Sequence, residues 1–297
     1  MINTILIILE QTALFLPLVL GSYISMSLLK LPDLSIESAY VFGAILGAQT
    51  IVGFKMAPIG LTLILACVAS LVGGALVGLT SSVISRVGQI PHLLASIITF
   101  GIFHGINQFV LQGSYLSLTG LRNPLELLPS LAQHPELIML AIISLLLVAS
   151  ALTFFYTQLS YACAIVGNNA EFFRNYGIST NFIVIVGVML GNALAGLSGY
   201  LFAQSNNFVE ITIGYGKVLL CITALILGKA LIARAKPITI AVPLLGTSAY
   251  FVLQQLLLKG GFNLKYFTAV QALLVLIFII VLYRAQGRSL RGDQLGV

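Results

Sequence analysis

The sequence predicts an all-α integral membrane protein with about nine membrane-embedded helices and an inverted internal repeat. Three observations predict it: a charge-poor composition, a series of long apolar runs, and two similar stretches that enter the membrane from opposite sides. Only 7% of the 297 residues are charged, 59% are hydrophobic, and the mean hydropathy is +1.08. A soluble domain carries about 25% charged residues, so most of this surface must face lipid. We therefore expect a single transmembrane domain over residues 1–297.

Nine apolar runs are long enough to enter the membrane, since a spanning helix needs about 20 mostly apolar residues. The first is interpreted as a retained helix, because it lacks a basic amino-terminal region and a clear cleavage site. The second and seventh are short and rich in glycine, so they are candidates for broken or re-entrant helices. The predicted segments are 4–29, 37–54, 58–80, 92–111, 135–158, 181–203, 215–233, 237–257 and 266–285.

Basic residues predict the orientation, because cytoplasmic loops of membrane proteins are enriched in lysine and arginine. The tail after the ninth segment carries three arginines and is placed in the cytoplasm: Arg284, Arg288 and Arg291. Counting back through nine crossings places the N-terminus outside and three basic loops inside: Arg86; Arg174; and Lys229, Arg234 and Lys236. Lys259 and Lys265 fall outside, against the rule.

Two stretches of the chain resemble each other. Asp33-Leu34-Ser35-Ile36 precedes a glycine-spaced apolar run and Ala57-Pro58-Ile59, and Glu210-Ile211-Thr212-Ile213 precedes a similar run and Lys236-Pro237-Ile238. The acid lies 25 residues before the proline in one copy and 27 in the other. Matched short or interrupted helices are typical of inverted repeats, here with halves at approximately 30–158 and 205–285. The alternative is chance, because such quartets also cap helices.

The composition excludes several kinds of site. The three cysteines lie in different segments without a CxxC pair, so no metal or redox site is expected. The basic residues behind the net charge of +6 are scattered between apolar runs, which excludes nucleic acid as a partner. No phosphate-binding loop or hydrolase motif occurs, so we expect no enzyme activity and no cofactor in this chain. Glu10 and His104 stand out as ionisable residues within apolar runs, too few for a proton-coupled pump.

The fourth segment carries the densest polar set. His104, Asn107 and Gln108 follow the spacing i, i+3, i+4 and so share one helical face. Polar side chains at membrane depth must face protein or water. The stripe therefore either lines a solute path or makes interhelical hydrogen bonds, and the sequence favours neither. Gln49 and Asn192 are isolated candidates of the same kind.

The sixth segment carries small residues at every fourth position. They are Gly187, Gly191, Ala195 and Gly199. Such spacing lets a neighbouring helix approach closely. We interpret the run as structural.

The loop 159–180 is the most informative polar stretch. We expect one or two helical turns here, with Asn169 as the N-cap and Gly177 at the C′ position. Phe172 and Phe173 on so short a helix indicate that a partner docks there. The alternative is that both rings tuck back against the bundle.

This loop resembles the coupling loop of ABC importer permeases of the branched-chain amino acid and ribose type. The matching residues, in the spacing G-x-N-x-E-x-x-R-x-x-G-I, are Gly167, Asn169, Glu171, Arg174, Gly177 and Ile178. Ala170 stands where proline is frequent in the family and Ala164 where an arginine is usual. Residues 31–44 and 94–113 also resemble the family, closest to a subgroup linked to tryptophan-like or other hydrophobic amino acids. The resemblance extends over about residues 30–290.

The resemblance implies a permease subunit of an ATP-driven importer in the bacterial inner membrane, working as a homodimer. Two ATPase subunits, which would bind ATP and magnesium, and an extracytoplasmic substrate-binding protein are the implied partners. The solute would be small and neutral, an amino acid. The ATPase-coupling residues would be Asn169, Glu171, Phe172, Phe173, Arg174 and Gly177. The alternative is a stand-alone secondary transporter or channel, which fits an inverted repeat but has no need of a coupling loop.

Overall fold

A computed structural model describes residues 2–121, 135–232, 239–261 and 266–277, together with Ile280. Its helices are α1 (Ile2–Ser22, continued by a π-turn at Tyr23–Leu28), α2 (Ser35–Gly53), α3 (Ile59–Gly88), α4 (His92–Leu111), α5 (Pro135–Phe155), α6 (Gln158–Asn168), α7 (Ala170–Asn175), α8 (Thr180–Asn206), α9 (Lys217–Leu231), α10 (Ala241–Lys259) and α11 (Phe267–Ile277). Two short strands pair antiparallel: β1 (Tyr115–Ser117) and β2 (Phe208–Glu210).

Eight helical segments among the described residues are long and apolar enough to cross a membrane. They correspond to the first eight predicted segments, which confirms the all-α membrane fold. The ninth is described only as α11, because the remainder of 266–285 lies outside the described residues. The same holds for further residues used in the orientation and repeat arguments: Arg234, Lys236, Pro237, Ile238, Lys265, Arg284, Arg288 and Arg291.

Helix α3 is longer than the predicted segment 58–80. It continues to Gly88, so Arg86 lies in its last helical turn rather than in a loop. Within this extension the Ser82 hydroxyl bonds back to the Gly78 carbonyl of its own helix at 2.7 Å. Lys229 likewise lies in the last turn of α9. Both cations sit where the helix dipole favours positive charge.

Helices α2, α3 and α8 form the centre of the bundle, and glycine backbones make their contacts. A Cβ at Gly43 would lie 2.5 Å from the carbonyl oxygen of Gly196, and one at Gly78 would lie 2.7 Å from that of Val188. Such approaches exclude any side chain and bring the helix backbones together. The run on α8 behaves as predicted, because Gly191 faces the backbone of Gly21 on α1.

The span Ile211–Leu231, which contains most of the seventh predicted segment, is interrupted at residues 215–216, although α9 itself is continuous; the second span is not interrupted. After α8 ends at Asn206 with Asn207 as its C-cap at φ of 58°, the chain forms β2, a 3-10 turn at Ile211–Gly214 and a left-handed Gly216 before α9 begins. Helix α2 instead runs without a break from Ser35 to Gly53, so the expectation of a broken second helix is wrong. The difference lies in the chain before each helix: pairing of β2 with β1 holds residues 208–210 extended.

The two quartets of the predicted repeat share one local hydrogen bond. The Ser35 hydroxyl donates to the carboxylate of Asp33 at 2.5 Å, and the Thr212 hydroxyl donates to that of Glu210 at 2.6 Å. The inverted repeat stays a prediction.

Candidate functional site

The α6–α7 segment is held against the end of the first helix. A Cβ at Gly167 would collide with the carbonyl of Leu28, so only glycine permits this contact. The ammonium of Lys30 donates to the side-chain oxygen of Asn168 at 2.6 Å. The C-terminal end of α6 is therefore held against the α1–α2 connection.

Both ends of α7 are capped as the sequence predicts. The side chain of Asn169 accepts a hydrogen bond from the amide of Glu171 at 3.1 Å. At the other end Gly177 has φ of 70°, and the amide of Ile178 donates to the Phe173 carbonyl at 3.0 Å. These caps allow a helix of one and a half turns to persist at the surface.

The two phenylalanines of α7 face different surroundings. Phe172 is 44% exposed and its ring lies 5.1 Å from that of Tyr176, which is 71% exposed. Phe173 is half-buried and packs against the core of the bundle. One ring thus anchors the helix while two rings and the exposed Glu171 remain available to a partner. Nothing is described of the Arg174 side chain.

The polar stripe of α4 lies at the edge between protein and surface. Asn107 is 2% exposed, and its side-chain oxygen has no hydrogen-bond partner among the described residues. Gln108 is exposed and His104 is half-buried, with its ring 6.4 Å from that of Phe100. Gln49 donates to the Val110 carbonyl at 2.7 Å and so links α2 to α4. The stripe therefore presents polar atoms both to the interior and to the outer face.

A buried polar cluster joins three parts of the bundle. The carboxylate of Asp33, which is fully buried, accepts hydrogen bonds from the amide and hydroxyl of Ser35 and from the side chain of Asn192 at 2.9 Å. His92 approaches it at 3.8 Å, too far for a hydrogen bond. Burial acts to raise the pKa of Asp33, but the imidazole and the hydrogen bonds outweigh it and lower the pKa. Asn192 thus lies in the interior of the protomer.

Two charged residues at membrane depth escaped the sequence reasoning. Glu37 lies in the apolar segment Ser35–Gly53 and Lys217 in the segment Ile211–Leu231. Glu37 is the first residue of the predicted segment 37–54 and Lys217 is the third residue of 215–233. A charge inside an apolar run is the signal that would have found them. The ammonium of Lys217 lies over three aromatic rings, at 4.6 to 5.3 Å from their centres: Phe15, Tyr40 and Phe202.

Glu37 touches the start of the interrupted helix. Its carboxylate accepts a hydrogen bond from the amide of Val218 at 3.2 Å, and the amides of Gly216 and Lys217 also point towards it. The interaction satisfies backbone donors that the first turn of a helix leaves unpaired. Glu37 therefore ties α2 to α9.

Glu10, the charged residue that the sequence places within the first apolar segment, has a hydrogen-bond partner on another helix. The Ser205 hydroxyl donates to the carboxylate of Glu10 at 3.3 Å, which links α1 to α8. Within the described part of the chain, no three His, Cys, Asp or Glu side chains cluster as metal ligands would.

Comparisons with known proteins agree on one family. The family described as branched-chain amino acid transport system, permease component, matches residues 4–281. An uncharacterized protein of Rickettsia prowazekii is 31% identical over 76% of this chain and 77% of its own length. The tyrosine transport system permease protein of Clostridioides difficile is 28% identical over 77% of this chain and 74% of its own. The autoinducer 2 import system permease protein LsrC of Escherichia coli is 29% identical over 63% of this chain and 54% of its own length. No solved structure matches.

Proposed function

Because the chain belongs to the family of permease components of branched-chain amino acid transport systems, we propose that two copies of it form the translocation path of an amino-acid importer driven by two ATPase subunits. The chain is a multi-pass permease subunit of an ABC importer in the bacterial inner membrane, and a transport permease subunit is not an enzyme. The ATPase contacts, the stoichiometry and the solute form the proposal.

The observation that carries the proposal is the capped surface helix α7. Phe172 and Tyr176 expose 44% and 71% of their surfaces there, beside the exposed Glu171. Aromatic rings surrounded by polar groups are typical of protein–protein contacts. Movement of a docked ATPase would pass through the Gly167 contact to the α1–α2 connection. The expected ATPase contacts are Asn169, Glu171, Phe172, Phe173, Arg174 and Gly177.

The exposed face of α4 supports the homodimer. Gly101 and Gly105 are exposed, and a Cβ at either would meet nothing within 4 Å. At the central glycines of α2, α3 and α8, by contrast, the backbone of a neighbouring helix occupies the space that a Cβ would need. Exposed Gln108 lies on the same face of α4, and polar side chains of spanning helices face protein or water rather than lipid. A second copy on this face would leave a path between the protomers, beside His104.

An amino acid is the solute that the comparisons favour. The Clostridioides difficile relative is a tyrosine transport system permease protein and matches 77% of this chain. The Escherichia coli relative is an autoinducer 2 import system permease protein and matches 63% of it. An extracytoplasmic binding protein would deliver the solute to the β1–β2 side, opposite α7.

Copurification from the native host tests the proposal. The chain is purified in mild detergent, and we expect recovery of an ATPase subunit together with ATP-dependent uptake of tritiated L-tyrosine after reconstitution with the binding protein. Reversing the charges of Glu171 and Arg174 should reduce ATPase recovery at least fivefold. The matched control is Lys55→Glu, since Lys55 is exposed on the α2–α3 connection at the opposite end of the bundle. A chain that purifies alone and moves solute without ATP would instead be a secondary transporter.

A further inference from the structure

The membrane-spanning part of the protomer contains a carboxylate beside a broken helix. Glu37 lies in the first turn of α2, within a segment apolar enough to span the membrane, and is half-buried. An ionisable side chain in such a segment is costly and marks a functional site by default. Solute sites of transporters commonly lie where a spanning helix is interrupted. The interruption before α9 meets Glu37, as shown by the Val218 hydrogen bond.

Lys217 lies near enough to Glu37 for an electrostatic interaction, but the two form no salt bridge in the part of the chain that the structure describes. The ammonium of Lys217 lies within about 5 Å of three ring centres on α1, α2 and α8, an arrangement that satisfies the cation by cation–π attraction. Among the described residues, the hydrogen bonds to the Glu37 carboxylate come from backbone amides at the start of α9. Since an ionised carboxylate offers about four acceptor positions, it retains capacity for a further donor.

Aromatic residues adjoin the neighbours of Glu37, because Tyr215 precedes Gly216 in the chain and Phe100 contacts Ser38. The ring of Tyr215, 53% exposed, lies 6.2 Å from that of Phe100, and the ring of His104 lies 6.4 Å from it. Helix α4 is held beside Glu37, because the hydroxyl of the neighbouring Ser38 donates to the Phe100 carbonyl at 3.4 Å. Glu37, Phe100, His104 and Tyr215 form what we call the Glu37 patch. It adjoins the exposed face of α4.

We propose that the Glu37 patch is a solute subsite, in which the carboxylate binds the ammonium of an amino acid and Phe100 and Tyr215 contact its side chain. The proposal rests on the amino-acid importer function and assigns residues to it. A carboxylate–ammonium hydrogen bond is among the strongest in proteins, and aromatic faces add attraction for both a cation and an apolar or aromatic side chain. The chemistry therefore selects solutes with a primary ammonium.

The variant Glu37→Gln separates binding of the solute by the carboxylate from capping of α9 by the same side chain. The glutamine side-chain oxygen can still accept the Val218 amide, so the cap of α9 remains while the charge is lost. The matched control is Glu210→Gln, because Glu210 is also half-buried but is paired with Thr212 on the loop side of the interruption. Melting temperature and ATPase recovery are measured for both variants, to show that each assembles.

The measurement is binding of tritiated L-tyrosine to the permease–ATPase complex in lipid nanodiscs, without the binding protein. Unlabelled tyramine, which keeps the ammonium, and deaminated tyrosine, which keeps the carboxylate, serve as competitors. We expect tyramine to compete and the deaminated analogue to fail. Glu37→Gln should weaken L-tyrosine binding roughly tenfold, the effect of one charge-assisted hydrogen bond, and Glu210→Gln should not.

The outcomes separate the subsite from the importer function. Equal competition by both analogues, unchanged binding in Glu37→Gln, or no saturable binding by a wild-type complex that imports L-tyrosine would each overturn the subsite and leave the importer intact. Failure of the wild-type transporter with its binding protein to import any amino acid would overturn the proposed function itself.

Discussion

Replacing Gly43 by alanine tests how tightly the centre of the bundle is specified. A Cβ there would lie 2.5 Å from the carbonyl oxygen and 2.6 Å from the carbonyl carbon of Gly196. Carbon atoms in contact stay about 3.5 Å apart, so α2 and α8 would have to separate by about 1 Å. Because both colliding atoms belong to backbone, no side-chain rotation relieves the overlap.

The cost follows from that separation. A gap of about 1 Å forfeits up to half of the dispersion energy of each contact along the seam, and overpacking costs about 3 kcal/mol at the upper end of its usual range. Alanine returns about 1 kcal/mol through its better helix propensity, which leaves a net loss of roughly 2 kcal/mol. For a chain of this size the melting temperature should fall by roughly 5 °C.

Thermal melting in detergent with a thiol-reactive fluorogenic dye measures this loss. Cys163 and Cys221 are free and buried, so their thiols react when the bundle opens. The matched control is Gly60→Ala, where a Cβ would meet nothing within 4 Å in the same bundle. The reasoning is refuted if Gly43→Ala melts at the wild-type temperature, or no lower than the control.

Three further substitutions test the buried cluster and the α6–α7 segment. Asn192→Ala removes a hydrogen bond to a buried carboxylate and should cost about 2 kcal/mol, whereas Asn206→Ala, which loses only a bond to its own helix, should cost under about 0.5 kcal/mol by thermal melting; equal losses would contradict the buried-charge argument. Gly167→Ala should displace α6 from the end of the first helix and lower ATP-dependent uptake, while the ATPase still copurifies; unchanged uptake would show that the contact does not transmit movement. Phe172→Ala should reduce ATPase recovery at least fivefold without lowering the melting temperature, because the ring is 44% exposed; a lower melting temperature would place the ring in the core instead.

Part of the candidate site could be predicted from the sequence because its signals are local. The cap at Asn169 and the C′ glycine at Gly177 depend on residues within a few positions of each other, and both have the predicted geometry. The local sequence did not predict that Phe172 and Phe173 would differ in exposure. Phe172 faces outward and Phe173 packs inward because the tertiary position of α7 orients the helix.

The polar residues show where helical spacing stops being informative. His104, Asn107 and Gln108 share one face by spacing, yet Asn107 is buried and Gln108 is exposed. In a membrane protein both the packed face and the lipid face of a helix are apolar, so the sequence carries little amphipathic signal to orient it. Glu37 and Lys217 lie within the predicted segments 37–54 and 215–233 and were not singled out there.

The sequence by itself determined the membrane class, the first eight spans and the caps of α7, because apolar length, scarcity of charge and caps are properties of short stretches. Only the tertiary structure decided which helices meet at the glycines, that the chain breaks before α9 and not in α2, and that Glu37 meets the start of α9. These features depend on contacts between segments far apart in the chain. Close backbone packing, β1–β2 pairing and buried hydrogen bonds stabilise them. Each of these contacts joins two segments, so the sequence of one segment does not specify it.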